Sequence, residues 1–284
     1  RTFGYALGWL IQSSQLFWDN TTGRLGIGTN SPTSALTVSG AITSNTDATI
    51  NGITVGRGSG NILTNTAVGN GAMAALQSGS YGNTALWFTS LTANTSGYQN
   101  TAIGSYALVS NTGGINNTSL GVQSLYSNTT GNYNTANGVA ALWNNTTGDY
   151  NVAVGASALW NNTTGSNHIA MGYRSAYRIV SAGGTSPNLA IWYQSLYGWS
   201  ATASSNTASD NIAIGYQTLY GSSGTPSTGT GNVAIGNSSL VLNTSGYANS
   251  SLWLWALYAN STGYQNTAIG SMALTNGTTG NNNT

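Results

Sequence analysis

The stretch "NTTGNYNTANGVAALWNNTTGDYNVAVGASALWNNTTGSNHIAMGY", Asn128 to Tyr173, repeats itself. The tetrapeptide NTTG begins at Asn128, Asn145 and Asn162, in equal steps of seventeen residues. Between these turn signals the segments are only four to six residues long, which suits strands and leaves no room for a pair of helices. A short unit repeated at a fixed period is the mark of a solenoid, in which each unit buries its apolar side only by stacking on the next.

The frame extends in both directions. With the Asn of N-x-A-x-G as offset zero, it falls at Asn65, Asn83, Asn100, Asn117, Asn134, Asn151, His168, Asn188, Asn211, Asn232, Asn249 and Asn266. Most steps are seventeen, and the units from His168 to Asn232 carry extra residues. Asn283 and Thr284 fall where a further unit would begin, so the repeat is expected to run on, and "RTFGYALGWLIQ" at the start reads as the cut end of a longer protein.

The columns are regular. Offset two is always small, as in Ala102, Ser119, Ala136 and Ala153, and offset three is mostly aliphatic, as in Ile103, Leu120 and Val154. Offset four is Gly, as in Gly104 and Gly155, except at Trp87, Trp192 and Trp253. Offset eight is usually Leu, as in Leu108, Leu142 and Leu159. The turn N-T-[TS]-G closes at Gly97, Gly131, Gly148, Gly165, Gly246 and Gly263, where Asn and Gly are expected to supply left-handed backbone.

The resulting expectation is an all-β chain: a parallel β-solenoid of about 17-residue coils over residues 65–284, preceded by a β-rich connector at 1–64. Twelve coils at ~4.8 Å each span roughly 58 Å. Strand side chains alternate, so offsets one and three share a face. The aliphatic offset three, with Leu at offset eight, is expected to fill the interior. Offset two then points outward as a small-residue seam for other chains, most simply around a threefold axis. For the three Trp, either the coil opens outward at that corner, or the column is Gly for close packing and these units are unpacked.

Composition narrows the function. Charged residues make up 3% of the chain, against roughly 25% in an ordinary domain. There is no Lys, Glu or Cys, and the net charge is +1, which gives no electrostatic footprint for nucleic acid or an anionic membrane. The 39% of hydrophobic residues at fixed positions argue against disorder. No apolar run is long enough to cross a membrane as a helix. Stacking like residues on like also accounts for the missing charge: stacked charges repel, whereas stacked Asn and Thr form hydrogen-bonded ladders.

The N-[TS]-A-[IV]-G core, the small residues and the Gly-ended turns resemble the left-handed parallel β-roll of trimeric autotransporter adhesin heads, which typically use a shorter coil. "LFWDNTTGRLGIGTNSPTSALTVSGAITS" (Leu16 to Ser44) and "INGITVGRGSGNILTNTAVGNGAM" (Ile50 to Met73) resemble the segments that precede such repeats in phage tail fibre proteins. The resemblance implies an intertwined or side-by-side homotrimer on a virion surface or otherwise extracellular. Its implied role is a tail fibre segment mediating attachment to a host-surface glycan or protein receptor. A bacterial trimeric surface adhesin or extracellular filament subunit is the alternative reading. A carbohydrate-active β-helix enzyme is a third, of another class; it wants clustered carboxylates, and Asp149 and Asp210 stand several units apart.

Little else points to chemistry. His168 replaces an Asn of the repeat and reads as a stacked variant; three copies could bind a metal only if its column faced a trimer axis. "GRGSGN", Gly56 to Asn61, lacks the Lys-Ser/Thr of a P-loop and reads as a turn. The sequons at Asn94, Asn128, Asn145 and Asn162 are part of the turn formula. No catalytic, metal or cofactor site is expected. Candidate partner contacts are an aromatic column, Tyr126, Trp143 and Trp160, suited to stacking on sugars or anchoring a partner. Its competing reading is packing along an edge of the roll or between subunits. The irregular stretch with Arg174, Tyr177 and Arg178 and the loops before Asn188 and Asn211 are the other candidates.

Overall fold

The computed structural model describes residues 12–13, 16–19, 21–38, 47–50, 53–60, 62–77, 79–179, 187–198, 207–222, 225, 228–277 and 279–284. The opening segment Arg1 to Ile11 and much of the inserted loops lie outside these residues. Every regular element among them is a strand. The chain divides into two compact units, 1–45 and 46–284.

In the first unit, β1 (Gln12–Ser13), β2 (Leu16–Asp19) and β3 (Arg24–Ile27) pair antiparallel, and β4 (Leu36–Val38) lies parallel to β3. Asp19 sets the turn after β2. Its carboxylate accepts the Thr22 hydroxyl and the backbone N–H of Thr21 (2.8 Å) and Thr22 (3.3 Å). These bonds, the Thr22 hydroxyl foremost, hold its pKa below the ordinary carboxylate value.

The second unit is the solenoid. A hairpin, β5 (Ala48–Ile50) and β6 (Ile53–Gly56), lies antiparallel on β7 (Thr66–Val68). From there twelve three-residue strands run parallel to β18 (Thr267–Ile269). The parallel coils thus begin where the repeat frame begins, and the hairpin extends the same sheet back to Ala48. The Asp47 carboxylate ties the hairpin down by accepting the amides of Arg57 (2.7 Å) and Gly58 (3.0 Å).

The register is one coil per repeat. Thr101 pairs with Thr118, Ala102 with Ser119 and Ile103 with Leu120; the next step pairs those with Thr135, Ala136 and Asn137. The longer coils keep this register, with Ile169 over Leu189 and Leu189 over Ile212.

The facing of the strand is the reverse of the expectation. The small offset-two residues point inward: Ala102, Ala136 and Ala153 are all 0% exposed. The aliphatics at offset three, such as Ile103, Leu120 and Val154, stand on the outer face in vertical register. The reason is cross-section. The interior already holds the Leu column (Leu108, Leu125, Leu142, Leu159), a second small column at offset seven and two columns of Asn. A second aliphatic column does not fit among these, so the methyl-sized side of the strand turns in. The small column is therefore not an outer seam. Where it carries Ser, the hydroxyl is satisfied inside: Ser119 Oγ donates to the Ser124 carbonyl (2.9 Å).

Two buried Asn ladders replace a wider apolar core. In the offset-zero ladder, Asn134 Nδ2 donates to Asn117 Oδ1 (3.2 Å) and to the Gly148 carbonyl (2.8 Å). Its Oδ1 accepts the Asn151 backbone N–H (2.9 Å) and Nδ2 (3.0 Å). The second ladder is the Asn of N-T-T-G, where Asn145 Nδ2 reaches Asn128 Oδ1 (2.8 Å) and its own turn at the Gly148 carbonyl (3.0 Å). The sequon residues Asn94, Asn128, Asn145 and Asn162 belong to this ladder and are 0% exposed, so the folded chain offers none of these to a glycosyltransferase. The ladder breaks where Ile179 takes the Asn place, and Asn162 Oδ1 is left buried without a partner.

The turn glycines have another cause than the expected left-handed backbone. A Cβ on Gly131 would lie 2.5 Å from the Gly148 carbonyl oxygen and 2.9 Å from Asn145 Nδ2, so close approach of coils excludes it. Left-handed backbone instead falls on side-chain-bearing positions, such as Tyr133 (φ 57°), Ala140 (φ 55°) and Leu142 (φ 52°). Such residues cost about 1–2 kcal/mol each. Here the cost is offset by bonds to both neighbouring coils: Ala140 N–H donates to the Val122 carbonyl (2.9 Å) and Leu142 N–H to the Ala158 carbonyl (2.9 Å).

At offset four both proposed reasons for Gly operate. Gly138 has φ 145°, and a Cβ there would sit 2.6 Å from the Gly155 backbone. Trp87, Trp192 and Trp253 adopt φ 91°, 104° and 94° instead, and their side chains point out, 65%, 63% and 66% exposed. The backbone at these three places approaches the preceding coil as closely as at the Gly positions, a Cβ on Gly69 falling 2.6 Å from the Trp87 carbonyl oxygen. The hydrogen bond to that coil is kept, as from Trp253 N–H to the Ile235 carbonyl (2.7 Å).

Candidate functional site

One arc of the coil carries the aromatic residues. At offset nine, Tyr126, Trp143, Trp160, Tyr177, Tyr197 and Tyr220 follow one another on successive coils. Their centroids are 5.6, 4.9, 5.3, 5.3 and 5.0 Å apart in that order, and every pair after the first is stacked within 17° of parallel. This is the coil spacing of a parallel sheet written in rings. Each pair adds about 0.5–1.5 kcal/mol beyond area burial. The expected column is therefore real and longer than the three residues first singled out. Stacking has a further consequence: ring faces inside the ladder cover one another, so the column offers a ligand its edges and hydroxyls.

Arg174 and Tyr177 belong to the same site. The Arg174 guanidinium lies 5.0 Å from the Tyr173 ring centre and 5.1 Å from that of Tyr177, between offsets five and nine. Its Nε is buried without a hydrogen-bond partner. The Arg178 guanidinium lies 6.0 Å from the Tyr197 ring, one coil on. All six residues expected to contact a partner thus fall on one arc.

The arc also contains residues that sequence reading passed over. Tyr173, Tyr193 and Tyr216 form a second, exposed ladder at offset five, with centroids 5.4 and 5.2 Å apart. Between the two tyrosine columns runs offset six: Arg174, Gln194 and Gln217, with Gln217 Nε2 donating to Gln194 Oε1 (3.1 Å). The signal was present as YRSAY (173–177), YQSLY (193–197) and YQTLY (216–220), a tyrosine pair with a polar residue after the first. Toward the other end of the arc the same columns line a hollow of about 510 Å³ among Ser238, Trp255, Tyr258, Met272 and Thr275.

His168 is not on this arc. It is buried in the Asn ladder, where its backbone N–H donates to Asn151 Oδ1 (3.0 Å) and its ring Nδ1 accepts the Asn188 backbone N–H (3.1 Å). Burial lowers its pKa to about 4, against a smaller opposing pull from the Asp210 carboxylate. It is a neutral imidazole standing in for an amide. Asp149 sits at another corner and accepts Asn132 N–H (2.6 Å) and Nδ2 (3.1 Å). Among the described residues no three of His, Asp, Glu or Cys gather as a metal site would need. The loops before Asn188 and Asn211 lie largely outside the described residues.

The outer strand face is the other large feature. Offsets one and three present Val152 and Val154, Ile169 and Met171, Leu189 and Ile191, Ile212 and Ile214 in two columns. At its beginning this face runs into an apolar hollow of about 420 Å³ lined by Ile53, Val68, Leu86, Trp87 and Phe88. No protein-family model, curated protein or solved structure matches the chain.

Proposed function

We propose that this chain is a structural segment of an extracellular fibre, a phage tail fibre that assembles as a homotrimer and carries a host-attachment surface. The observation that carries the proposal is the outer strand face. Offset three is aliphatic on eleven of the twelve coils, and offset one joins it on five (Val152, Ile169, Leu189, Ile212 and Val233). There two columns ~7 Å apart at ~4.8 Å per coil give roughly 170 Å² of wholly apolar strip. Aliphatics aligned in one file along a face, unlike singly scattered exposed residues, support a contact surface. Self-association along this strip covers the aliphatics of three chains at once, and the stacked backbone ladders then run continuously along the fibre. The aromatic arc lies off the strip and remains available to a receptor. Near-absence of charge fits a stack in which every side chain meets its own kind.

Sedimentation equilibrium of the chain tests assembly, with a mass of three chains expected. Val154→Asp with Ile214→Asp places charge on the strip and is expected to give folded monomers. A native chain that is monomeric at micromolar concentration would overturn the trimer. Antibodies against the chain are expected to decorate virion tails in electron micrographs. Decoration of a bacterial surface instead would replace the tail fibre by an adhesin.

A further inference from the structure

We infer that the cleft between the two tyrosine columns on the coils of His168, Asn188 and Asn211 binds an acidic oligosaccharide, a short glycan bearing carboxylates. The inference deepens the attachment reading above and rests on it for the arc being open in the assembled fibre.

The cleft repeats three times. Each coil supplies a wall at offset five (Tyr173, Tyr193, Tyr216), a wall at offset nine (Tyr177, Tyr197, Tyr220) and a polar side chain between them (Arg174, Gln194, Gln217). Gln194 is buried and Gln217 half-buried, while the first wall is exposed, so the amides form the floor. The rings in each wall stack on one another within 25° of parallel. Their faces are thereby occupied, and the exposed offset-five wall presents ring edges and a row of phenol oxygens at the coil spacing, while Tyr197 in the second wall is buried. A ligand that lies along this cleft must be linear and rich in hydroxyls. It matches the phenols and amides by hydrogen bonds, not by lying flat on a ring.

Charge sets the class. Residues 65–284 carry two cations, Arg174 and Arg178, and two acids, Asp149 and Asp210. The acids sit at offsets fifteen and sixteen, before the strand, and both arginines sit on the tyrosine arc. The Arg174 guanidinium lies 5.0 Å from the Tyr173 ring centre and 5.1 Å from that of Tyr177, which places it at one end of the cleft. A planar guanidinium so placed pairs with a carboxylate through two parallel N–H···O bonds. Two cations are too few to hold a nucleic-acid backbone, whose binding relies on many phosphate contacts.

Titration calorimetry of the whole chain with tetragalacturonate, and with its methyl-esterified neutral form, tests the assignment. The acidic tetramer is expected to bind at least tenfold more tightly than the ester. Arg174→Gln is expected to abolish that difference with melting temperature and sedimentation mass unchanged, and Tyr193→Ala to weaken both ligands. Equal affinity for acid and ester, or a difference that survives Arg174→Gln, overturns the acidic class. A short polyphosphate that outcompetes the tetramer overturns the saccharide class. A monomeric mass with intact binding would remove the trimeric fibre and leave the cleft standing.

Discussion

Replacing Asn134 by Ala tests whether the Asn ladder holds the coils together. The side chain makes four hydrogen bonds inside a 0%-exposed site. Two of its partners are kept whole without it: Asn117 Oδ1 still accepts the Asn134 backbone N–H (2.9 Å), and the Gly148 carbonyl still accepts Asn145 Nδ2 (3.0 Å). The Asn151 backbone N–H loses its acceptor and is stranded in the interior. An orphaned buried donor costs about 1–3 kcal/mol and each of the three further lost bonds about 0.5–1.5, so about 2.5–7.5 kcal/mol is expected. In a stack of coils such a loss opens neighbours before the whole array. Guanidinium denaturation followed by Trp fluorescence should therefore be read together with hydrogen exchange, which is expected to speed most between Asn117 and Asn151. Asn134→Asp sharpens the test. A carboxylate still accepts from Asn151 but cannot donate to Asn117 Oδ1 or the Gly148 carbonyl, so the variant is expected to be weak at neutral pH and to recover on acidification. A cost under about 1 kcal/mol for Asn134→Ala, with unchanged exchange, would falsify the ladder as the source of coil cohesion.

The remaining predictions concern other columns. Because burial holds His168 neutral, with a pKa of about 4, the unfolded chain takes up its proton first. Stability is expected to fall as pH drops from 6.5 to 4, by about 3 kcal/mol in all, and His168→Asn should abolish that dependence in acid-denaturation midpoints. Leu142→Ala is expected to cost about 2–5 kcal/mol and Ala153→Val about 1–3 kcal/mol by overpacking, whereas Ile103→Ala on the outer face changes the melt of the monomeric variant little. The opposite order for the last two would return the aliphatics to the interior. Trp192→Gly relieves a bulky side chain of φ 104° and is expected to leave the melt unchanged or raise it by up to about 1 kcal/mol. Asn162→Ala is expected to cost less than Asn145→Ala in the same melts, since Asn162 Oδ1 has no donor to lose.

The sequence by itself determined the period, the parallel stacking and the register. These follow from repetition: when Asn100, Asn117 and Asn134 each need the same amide partner, only one alignment serves all of them at once. It also brought out part of the aromatic arc, because Trp143 and Trp160 stand one period apart. Tertiary structure decided which side of each strand is inside. Alternation along Thr101, Ala102 and Ile103 separates two faces but carries no sign. The sign comes from how much volume the closed coil can hold once Leu108 and two Asn columns are in it, and that is a property of the cross-section. The second tyrosine column was hidden for a related reason. Offsets five, six and nine meet on one arc only because left-handed residues at offsets six and eight bend the chain, and the sequence places Tyr, Gln, Ser and Leu there where a reader expects Gly or Asn.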